Sequence, residues 1–393
     1  MFIRHFIISI FCILGTHLYA QESGIKRLQK VDSIPLFSDL HYYSFFFSEK
    51  YDSDTILGVN YPLLNLDVLS KKGKYLGEIT RRGAGLGLLG TSTFIDISTG
   101  DSGDIYVLRQ DNAYSVYVYD YKGMFKKQVR LFLAEPDYSS PIFYSNFKVL
   151  EEPENNQLRF FLSVASSIES RFSKKYYRDN SGILEFILDS DSFTIQETKK
   201  HLPYLENAEI LQAISENEIS WNYPYPNFDF SDNHFYVIYS FSKFLFQYDK
   251  SFQLVRKSQI QSLPELSKSY SIGFTTGPKE FEKQRVIDAR LQFENVNAWN
   301  IQVRGKKALI QLFEPKEFGK YPILSSEQAK NFETINLNSI IIVKDLVSGK
   351  EDIYRLDKAF QGRVRLISET EFLVQGIPDP SVEEIYLYKF KLK

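Results

Sequence analysis

The sequence is poor in the residues that cross-link proteins and bind soft metals. Its single cysteine, Cys12, lies inside an apolar N-terminal stretch, so the rest of the chain can carry neither a disulfide framework nor a cysteine metal site. After residue 20 the histidines are His41, His201 and His234, and no two of them have the spacing of a metal-binding pair. We therefore expect no metal site and no cofactor.

An excess of either charge is also missing. Lys and Arg number 47 against 49 Asp and Glu, which gives a net charge of −2. A nucleic-acid-binding protein would need a clear basic excess, so we expect no nucleic-acid partner. The acidic residues that cluster lack the spacing and central glycine of a calcium loop, and we interpret them as turn residues. They are Asp52, Asp54, Asp101, Asp104, Glu151, Glu152, Glu154, Asp189 and Asp191.

Residues 1–20 have the three-part pattern of a secretory signal peptide. Arg4 supplies the positive charge, Phe6 to Leu14 form a short apolar run, and Ala20 ends the segment. The run is shorter than the roughly 20 residues that a spanning helix needs. The pattern predicts cleavage before Gln21, no membrane span afterwards, and a periplasmic or secreted bacterial protein. Residues 21–393 are then expected to form a single domain and a monomer.

Patterns typical of strands dominate what remains, and aromatic residues make up 16% of the chain. The best helical pattern is confined to 280–292. The clearest unit alternates at period two through four short segments separated by turn residues, which is the anatomy of one propeller blade. These segments are 94–98, 104–108, 115–120 and 124–131.

The last two strands of this unit, with the turn between them, recur along the chain. The recurrences are at 63–79, 183–196, 244–255 and 339–354. In four of the five hairpins an Asp begins the turn, where its carboxylate can accept backbone N–H groups. At 62 or so residues per blade over six blades, the repeat exceeds the ~40–50 residues of typical blades, so long loops should decorate one face.

The chain ends in an alternating strand, 384–393, that has no following partner. A propeller must close its ring, and Gly24 to Ile34 is the candidate for pairing with that strand. The sequence therefore predicts an all-β, six-bladed β-propeller in which an N-terminal strand closes the last blade.

Two segments resemble the six-bladed propellers of the NHL/TolB-like group, and most of all the secreted and lipoprotein propeller families of Bacteroidota. The first is GEITRRGAGLGLLG at Gly77 to Gly90, although Leu86 and Leu88 stand where that group often has Gly-Pro. The second is FDFSDNHFYVIYSFSKFLFQYD at Phe228 to Asp249. The resemblance implies the fold and the export of the chain. It implies no activity, because those families share no catalytic residues that could be carried over.

Two groups of residues are candidates for ligand binding. In the first, Arg81 and Arg82 precede a glycine-rich loop, which we expect to run toward the axis, and could bind a carboxylate or phosphate there. A solvated surface pair is the simpler alternative. In the second, Trp221, Tyr223 and Tyr225 share a proline-stiffened loop that could contact a saccharide or peptide, unless these rings fill a gap between blades.

Two classes of function remain open at this stage. The first is a binding or scaffold module of the bacterial cell envelope, whose partner would be an envelope protein or a saccharide. The second is a hydrolase or lyase acting on an envelope saccharide or ester, with carboxylates from separate blades at the channel mouth. The absence of any local catalytic motif favours the first.

Overall fold

The structure is a computed structural model that describes residues 25–26, 28–36, 43–46, 55–60, 65–70, 72, 74–81, 83–88, 93–110, 114–131, 141–166, 182–201, 226–239, 242–263, 297–313, 339–356, 360–376 and 385–392. Within these ranges the regular elements are strands, apart from one 3-10 turn at Pro153–Asn155. The helix predicted at 280–292 lies outside the described residues. No helix in the described ranges is long and apolar enough to cross a membrane.

Twenty-five strands account for the described fold. In chain order they are β1 (Ile25–Lys26), β2 (Gln29–Leu36), β3 (Tyr43–Phe46), β4 (Thr55–Asn60), β5 (Asn65–Ser70), β6 (Tyr75–Thr80), β7 (Thr93–Thr99), β8 (Ile105–Gln110), β9 (Tyr114–Tyr119), β10 (Phe125–Leu131), β11 (Pro141–Glu152), β12 (Gln157–Ser166), β13 (Gly182–Asp189), β14 (Ile195–His201), β15 (Pro226–Ser231), β16 (His234–Tyr239), β17 (Phe244–Asp249), β18 (Leu254–Gln259), β19 (Asn297–Arg304), β20 (Lys307–Phe313), β21 (Ser339–Asp345), β22 (Glu351–Leu356), β23 (Phe360–Leu366), β24 (Glu371–Gly376) and β25 (Ile385–Lys391).

These strands form six sheets, each built around four antiparallel strands. The first five blades take four consecutive strands each, β3–β6, β7–β10, β11–β14, β15–β18 and β19–β22, and the sixth combines β23–β25 with β2. The first strand of a blade contacts the first strand of the next blade from β7 through β23, and β23 contacts β3. Apolar residues of β4 and β7 share one cluster and so join the first blade to the second. This ring of six blades confirms the predicted six-bladed propeller, with the four strands of 94–131 as its second blade.

The N-terminal segment closes the ring as predicted, but it also reaches the neighbouring blade. Strand β2 runs antiparallel to β25, with Ile34 opposite Leu387. Strand β1 instead pairs in parallel with β22 of the fifth blade, and Lys26 Nζ lies 2.7 Å from Asp352 Oδ1. The closing strand thus extends beyond the predicted 24–34 to residue 36, and the residues before it join the last two blades together.

The predicted hairpins are the third and fourth strands of their blades, and their turns are built as the sequence indicated. The Oδ1 atoms of Asp120, Asp189, Asp249 and Asp345 each accept a backbone N–H from within the turn, at 2.8 to 2.9 Å. In the first blade Ser70 takes this place, and its Oγ accepts the N–H of Lys74 at 3.0 Å. One local interaction therefore shapes this turn in five blades.

The two ends of the ring differ in the connections that they carry. The turns between first and second strands and between third and fourth strands lie at one end, which we call the short-turn face. The connections between second and third strands and between blades attach at the other end, the long-loop face. The longest connections, 167–181, 202–225, 260–296 and 314–338, all attach at the long-loop face, as the length of the repeat predicted.

Apolar side chains fill the boundaries between blades. Six clusters of buried residues account for the described core, and each combines residues of two adjacent blades. At the boundary of the third and fourth blades, Phe161 and Phe252 both lie against Phe235, whose ring centroid is 4.5 Å from that of either. Broad rings suit this flat interface between sheets, which explains the aromatic content of the chain.

Candidate functional site

The inner strands alternate polar and apolar side chains, and the two rows face opposite neighbours. In β7, Ile97 belongs to the apolar cluster shared with the first blade, whereas Asp96 and Ser98 bond to the third blade. The same alternation occurs in β11, β15 and β19. We call the side chains that face the following blade the polar row. Its members are Asp96, Ser98, Asn146, Lys148, Asn227, Asp229, Asn300 and Gln302.

Asp96 and Ser98 join the second blade to the third. The Asp96 carboxylate accepts the N–H of Phe147 at 3.1 Å through Oδ2 and the N–H of Ile97 at 2.9 Å through Oδ1. Ser98 Oγ accepts the N–H of Val149 at 3.1 Å. Because β7 and β11 belong to different sheets, no ladder between them can pair these N–H groups. The side chains of the polar row satisfy them instead.

A chain of amide groups continues this connection through the third, fourth and fifth blades. Asn146 accepts the N–H of Phe228 at 3.3 Å and donates to Asn227 Oδ1 at 3.1 Å. Asn227 in turn donates to the carbonyl of Ala298 at 3.0 Å. Each amide uses both its donor and its acceptor, which is the condition under which buried polar groups stabilise a fold.

Gln302 makes the corresponding connection to the sixth blade. Its Oε1 accepts the N–H of Leu366 and its Nε2 donates to the carbonyl of Val364, both at 2.6 Å. Asn300 donates to the same Val364 carbonyl at 3.0 Å. Two polar side chains of β19 therefore hold β23 in register with it.

The inner strands enclose a cavity of about 440 Å³ at the axis. Within the described residues, β7, β11, β15, β19 and β23 all contribute to its walls, and the polar row lines much of it. The cavity reaches the short-turn face, because residues of three turns at that end, Asp101, Asp232 and Gly305, also line it. Its volume lies in the range of about 300–1,000 Å³ that is usual for small-molecule sites.

One ion pair stands in the wall of this cavity. Lys148 Nζ of the third blade lies 2.5 Å from Asp229 Oδ1 of the fourth, and the other oxygen of Asp229 accepts the N–H of Val303 at 2.7 Å. The Asp229 side chain is only 5% exposed, whereas that of Lys148 is 37% exposed. The pair therefore combines a carboxylate anchored in the wall with an ammonium group that remains accessible.

Glu151 holds the rim of the cavity together. Its carboxylate accepts the Ser102 N–H at 2.5 Å, the Ser102 hydroxyl at 2.7 Å and the Tyr106 hydroxyl at 2.8 Å. Burial, followed by the charge and hydrogen bond of Glu151, holds the pKa of Tyr106 well above its usual range. The phenol is thus protonated at pH 7 and donates to Glu151.

The residues predicted as ligand contacts from the sequence do not line this cavity where they are described. Arg81 follows β6 at the long-loop face, where its side chain is 63% exposed and its Nε lies 3.5 Å from Glu78 Oε1. Arg82 lies outside the described residues, as do Trp221, Tyr223 and Tyr225, which precede β15. Arg81 thus lies on the face opposite the cavity mouth, and binding by these five residues remains a prediction.

The glycine-rich loop after Arg82 packs on the outer hairpin of the second blade instead of running toward the axis. The carbonyl of Gly87 accepts the Tyr119 hydroxyl at 2.7 Å and the Thr80 hydroxyl at 2.8 Å. Gly87 has a φ of +75°, and a Cβ there would lie 2.6 Å from Phe125 Cβ. Glycine is required at position 87 because the backbone has a positive φ and comes close to the side chain of Phe125, and not because the loop binds an anion.

The described histidines lie apart from the cavity. His234 begins β16, and His201 ends β14, where its Nε2 lies 2.7 Å from Glu185 Oε2 and its ring stacks on Phe252 at 4.0 Å. His41 lies outside the described residues. No group of three His, Cys, Asp or Glu side chains within the described ranges is arranged to hold a metal ion.

The sequence contains a pattern that indicates the polar row, although it matches no known catalytic or binding motif. The inner strands read D-I-S at 96–98, N-F-K-V at 146–149, N-F-D-F at 227–230 and N-I-Q-V at 300–303. The same polar–apolar alternation at the start of four blades indicates an inner face that bonds to its neighbour.

Comparison with known proteins identifies the fold and no activity. No family model matches the chain, and no curated protein matches its sequence. A crystal structure of a DUF4221 family member from Bacteroides vulgatus aligns with a TM-score of 0.63 and 13% identity, over 93% of this chain and 98% of that one.

Two more distant structures show lower similarity. A candidate exported protein from Bacteroides fragilis aligns with a TM-score of 0.44 and 13% identity, over 94% of this chain and 99% of that one. A streptogramin B lyase aligns with a TM-score of 0.42 and 9% identity, over 92% and 97%. These similarities concern the fold alone, and the structural neighbours include proteins of Bacteroides.

Proposed function

We propose that this protein is an exported binding module of the bacterial cell envelope whose axial cavity holds a small polar ligand at the short-turn face. The observation that carries this proposal is the cavity of about 440 Å³, much of which is lined by the polar row. A concave site of this size with a few convergent polar groups is where small molecules most often bind. Because neighbouring blades hold these groups in place, binding would require little reorganisation.

The state of the carboxylates favours binding over catalysis. Asp96 accepts two backbone N–H groups, Asp229 accepts one and pairs with Lys148, and Glu151 accepts three hydrogen bonds. Donors of the protein itself fix the orientation of these carboxylates and leave only part of their acceptor capacity for a bound molecule. Such groups are suited to holding the site in shape and to accepting a hydrogen bond from a ligand.

Export is supported by the signal-peptide pattern of residues 1–20. Expression of the full chain in a Gram-negative host and mass spectrometry of the purified product should give Gln21 as the first residue, with the protein in the periplasm or medium. An intact N-terminus in the membrane fraction would contradict export. The long-loop face would remain available for a larger partner, an envelope protein or polysaccharide, through the predicted contacts Arg81, Arg82, Trp221, Tyr223 and Tyr225.

The cavity is tested by filling it. Ser231 lies in its wall at the end of β15, and Ser231→Trp should obstruct it, whereas Thr198→Trp places the same ring on the exposed outer strand β14. Ligands retained from envelope extract would be detected by native mass spectrometry of residues 21–393. We expect a bound small molecule with the unmodified protein and Thr198→Trp, and none with Ser231→Trp.

Two outcomes would overturn this proposal. Retention of the same ligand by the Ser231→Trp variant would move the binding site away from the axis. Conversion of an envelope saccharide or ester by the unmodified protein, abolished by Ser231→Trp, would make the protein a hydrolase or lyase and not a binding module.

A further inference from the structure

Lys148 departs from the pattern of the polar row. At its level, Ser98, Asp229 and Gln302 each present an acceptor to a backbone N–H of the following blade. The Lys148 side chain has no acceptor atom. It donates one N–H to Asp229, and more than a third of it is exposed. An ammonium group has three N–H donors, so two remain for a molecule in the cavity.

The Lys148–Asp229 pair places a donor and an acceptor side by side in the wall. Each Asp229 oxygen has one partner, and a carboxylate has about four acceptor sites, so acceptor capacity also remains. A hydroxyl group is both donor and acceptor, and it can donate to the carboxylate while it accepts from the ammonium. A carboxylate ligand could use only the ammonium, and an amine only the carboxylate.

The charge of the cavity also favours a neutral ligand. Among the described residues, its walls contain five carboxylates, of Asp96, Asp101, Glu151, Asp229 and Asp232, and four cations. The cations are Lys148, Lys250, Arg304 and Arg365. With the two signs nearly balanced, an ionic ligand would lose its hydration without a compensating field. A polyhydroxyl compound loses less and can replace its water by hydrogen bonds to the wall.

We propose that the axial cavity binds a neutral saccharide, and that the paired Lys148 and Asp229 side chains bind one of its hydroxyl groups. This inference rests on the proposed binding function and adds the chemical class of the ligand and the two residues that recognise it. Asp229 then has two tasks, because it also holds the N–H of Val303 in the fifth blade.

Isothermal titration of residues 21–393 against three sets of probes tests the class of ligand. The probes are neutral disaccharides (maltose, cellobiose and lactose), uronic acids (glucuronate and galacturonate) and amino acids. We expect saturable binding of at least one neutral disaccharide and binding at least tenfold weaker for the other two sets.

Variants test the two residues. Lys148→Met should weaken the binding at least tenfold. Lys126→Met is the matched control, since Lys126 also lies 2.5 Å from an aspartate, Asp104, and is similarly exposed at 42%, but does not line the cavity. The double variant Lys148→Met/Asp229→Asn removes both charges together. It keeps the experiment decisive if an unpaired Asp229 prevents folding.

The outcomes separate this inference from the proposed function. Preferential binding of a uronic acid or an amino acid, blocked by Ser231→Trp, would overturn the neutral saccharide and leave the binding module standing. Equal loss in Lys148→Met and Lys126→Met would overturn the role of the pair. Absence of binding for all three sets, while Ser231→Trp still loses a ligand taken from envelope extract, would overturn the saccharide class alone.

Discussion

The N–H of Phe147 in the third blade donates to the carboxylate of Asp96 in the second at 3.1 Å, across a boundary that no backbone ladder bridges. Asp96 is only 6% exposed, so removal of its carboxylate leaves two backbone N–H groups that are largely shielded from water. We predict that Asp96→Ala lowers the free energy of unfolding by about 2 kcal/mol or more, the cost of leaving a buried N–H unpaired.

Urea denaturation followed by tyrosine fluorescence would measure this loss. Asp191→Ala is the matched control, because Asp191 is exposed and accepts one long side-chain hydrogen bond of 3.2 Å from Asn156. We expect its midpoint to shift by much less. Equal midpoints for the two variants would show that the polar row contributes nothing to the cohesion of the blades.

The blades and their outer hairpins could be predicted from the sequence because their signals are local. Period-two alternation and an Asp at the start of a turn, such as Asp120, act within a few residues of each other. The ring closure was also predictable, since the strand at 385–391 lacks a partner after it. The parallel pairing of Ile25 with Ile353 was not, because a two-residue contact has no periodicity.

The site was harder to predict than the fold for a physical reason. Polar residues that alternate along a strand, such as Asn227 and Asp229, usually indicate a face in contact with water. Here they are buried, because the face that they occupy lies against the next blade. Only the arrangement of the ring shows that Asp229 and other members of the polar row line the axial cavity and that Arg81 belongs to the opposite face.

The turn between the third and fourth strands of a blade offers a test of the hydrogen bonds that its first residue accepts. Asp249 Oδ1 accepts the N–H groups of Ser251 and Gln253 at 2.8 and 2.9 Å, and Asp249→Ala should lower the free energy of unfolding by about 1 kcal/mol. Ser70 has the same place in the first blade, and Ser70→Asp should raise it by about 0.5 kcal/mol, because a charged acceptor forms stronger hydrogen bonds.

Thermal unfolding of Asp249→Ala, Ser70→Asp and Ser70→Ala would rank their melting temperatures. Ser70→Ala removes the acceptor of the first blade's turn. We expect Ser70→Asp to melt above the unmodified protein and Ser70→Ala below it. A Ser70→Asp variant that melts lower than Ser70→Ala would mean that the turn of the first blade has a different geometry from the others.

The N-terminal segment should contribute two unequal amounts to the free energy of unfolding, a small one from β1 and a larger one from β2. A chain beginning at residue 27 loses β1 and the ion pair of Lys26 with Asp352, both partly exposed, and we expect a loss of at most about 1 kcal/mol. A chain beginning at residue 37 also loses β2, uncovers the edge of β25 and removes the buried Ile34. We expect the second truncation to cost more than about 3 kcal/mol and to cause aggregation.

Circular dichroism melting and size-exclusion chromatography would compare the two truncated chains. Both lack the signal peptide, so they are produced in the cytoplasm beside residues 21–393 as reference. If the chain beginning at residue 37 has the same melting temperature as the reference and stays monomeric, β2 is not what closes the ring.

Acid stability should depend on Glu185, which is 1% exposed at the boundary of the third and fourth blades. Arg159 Nε lies 2.6 Å from Glu185 Oε1, His201 Nε2 lies 2.7 Å from Oε2, and Arg159 also donates to the carbonyl of Lys250 in the fourth blade at 2.8 Å. Burial alone would raise the pKa of Glu185, but the hydrogen bonds from His201 and Arg159 and their charges outweigh it and lower the pKa below its usual 4.5.

A carboxyl group whose pKa is lowered by folding stabilises the protein above its unfolded-state pKa, and this contribution is lost as the pH falls through the folded-state pKa. We therefore predict that Glu185→Gln costs about 1.5–3 kcal/mol at pH 7, because it removes the charged acceptor of Arg159 Nε, while Arg159 keeps its contacts with Glu152 and with the carbonyl of Lys250. The difference between the two proteins should shrink as the pH falls below 4.5. Urea unfolding at half-unit steps from pH 7 to 3 measures this difference.

Glu197→Gln is the control, since Glu197 is 54% exposed beside Lys199 on the surface, and its curve should follow that of the unmodified protein throughout. A Glu185→Gln difference that stays the same down to pH 3 would mean that the ionised carboxylate is not what joins the two blades.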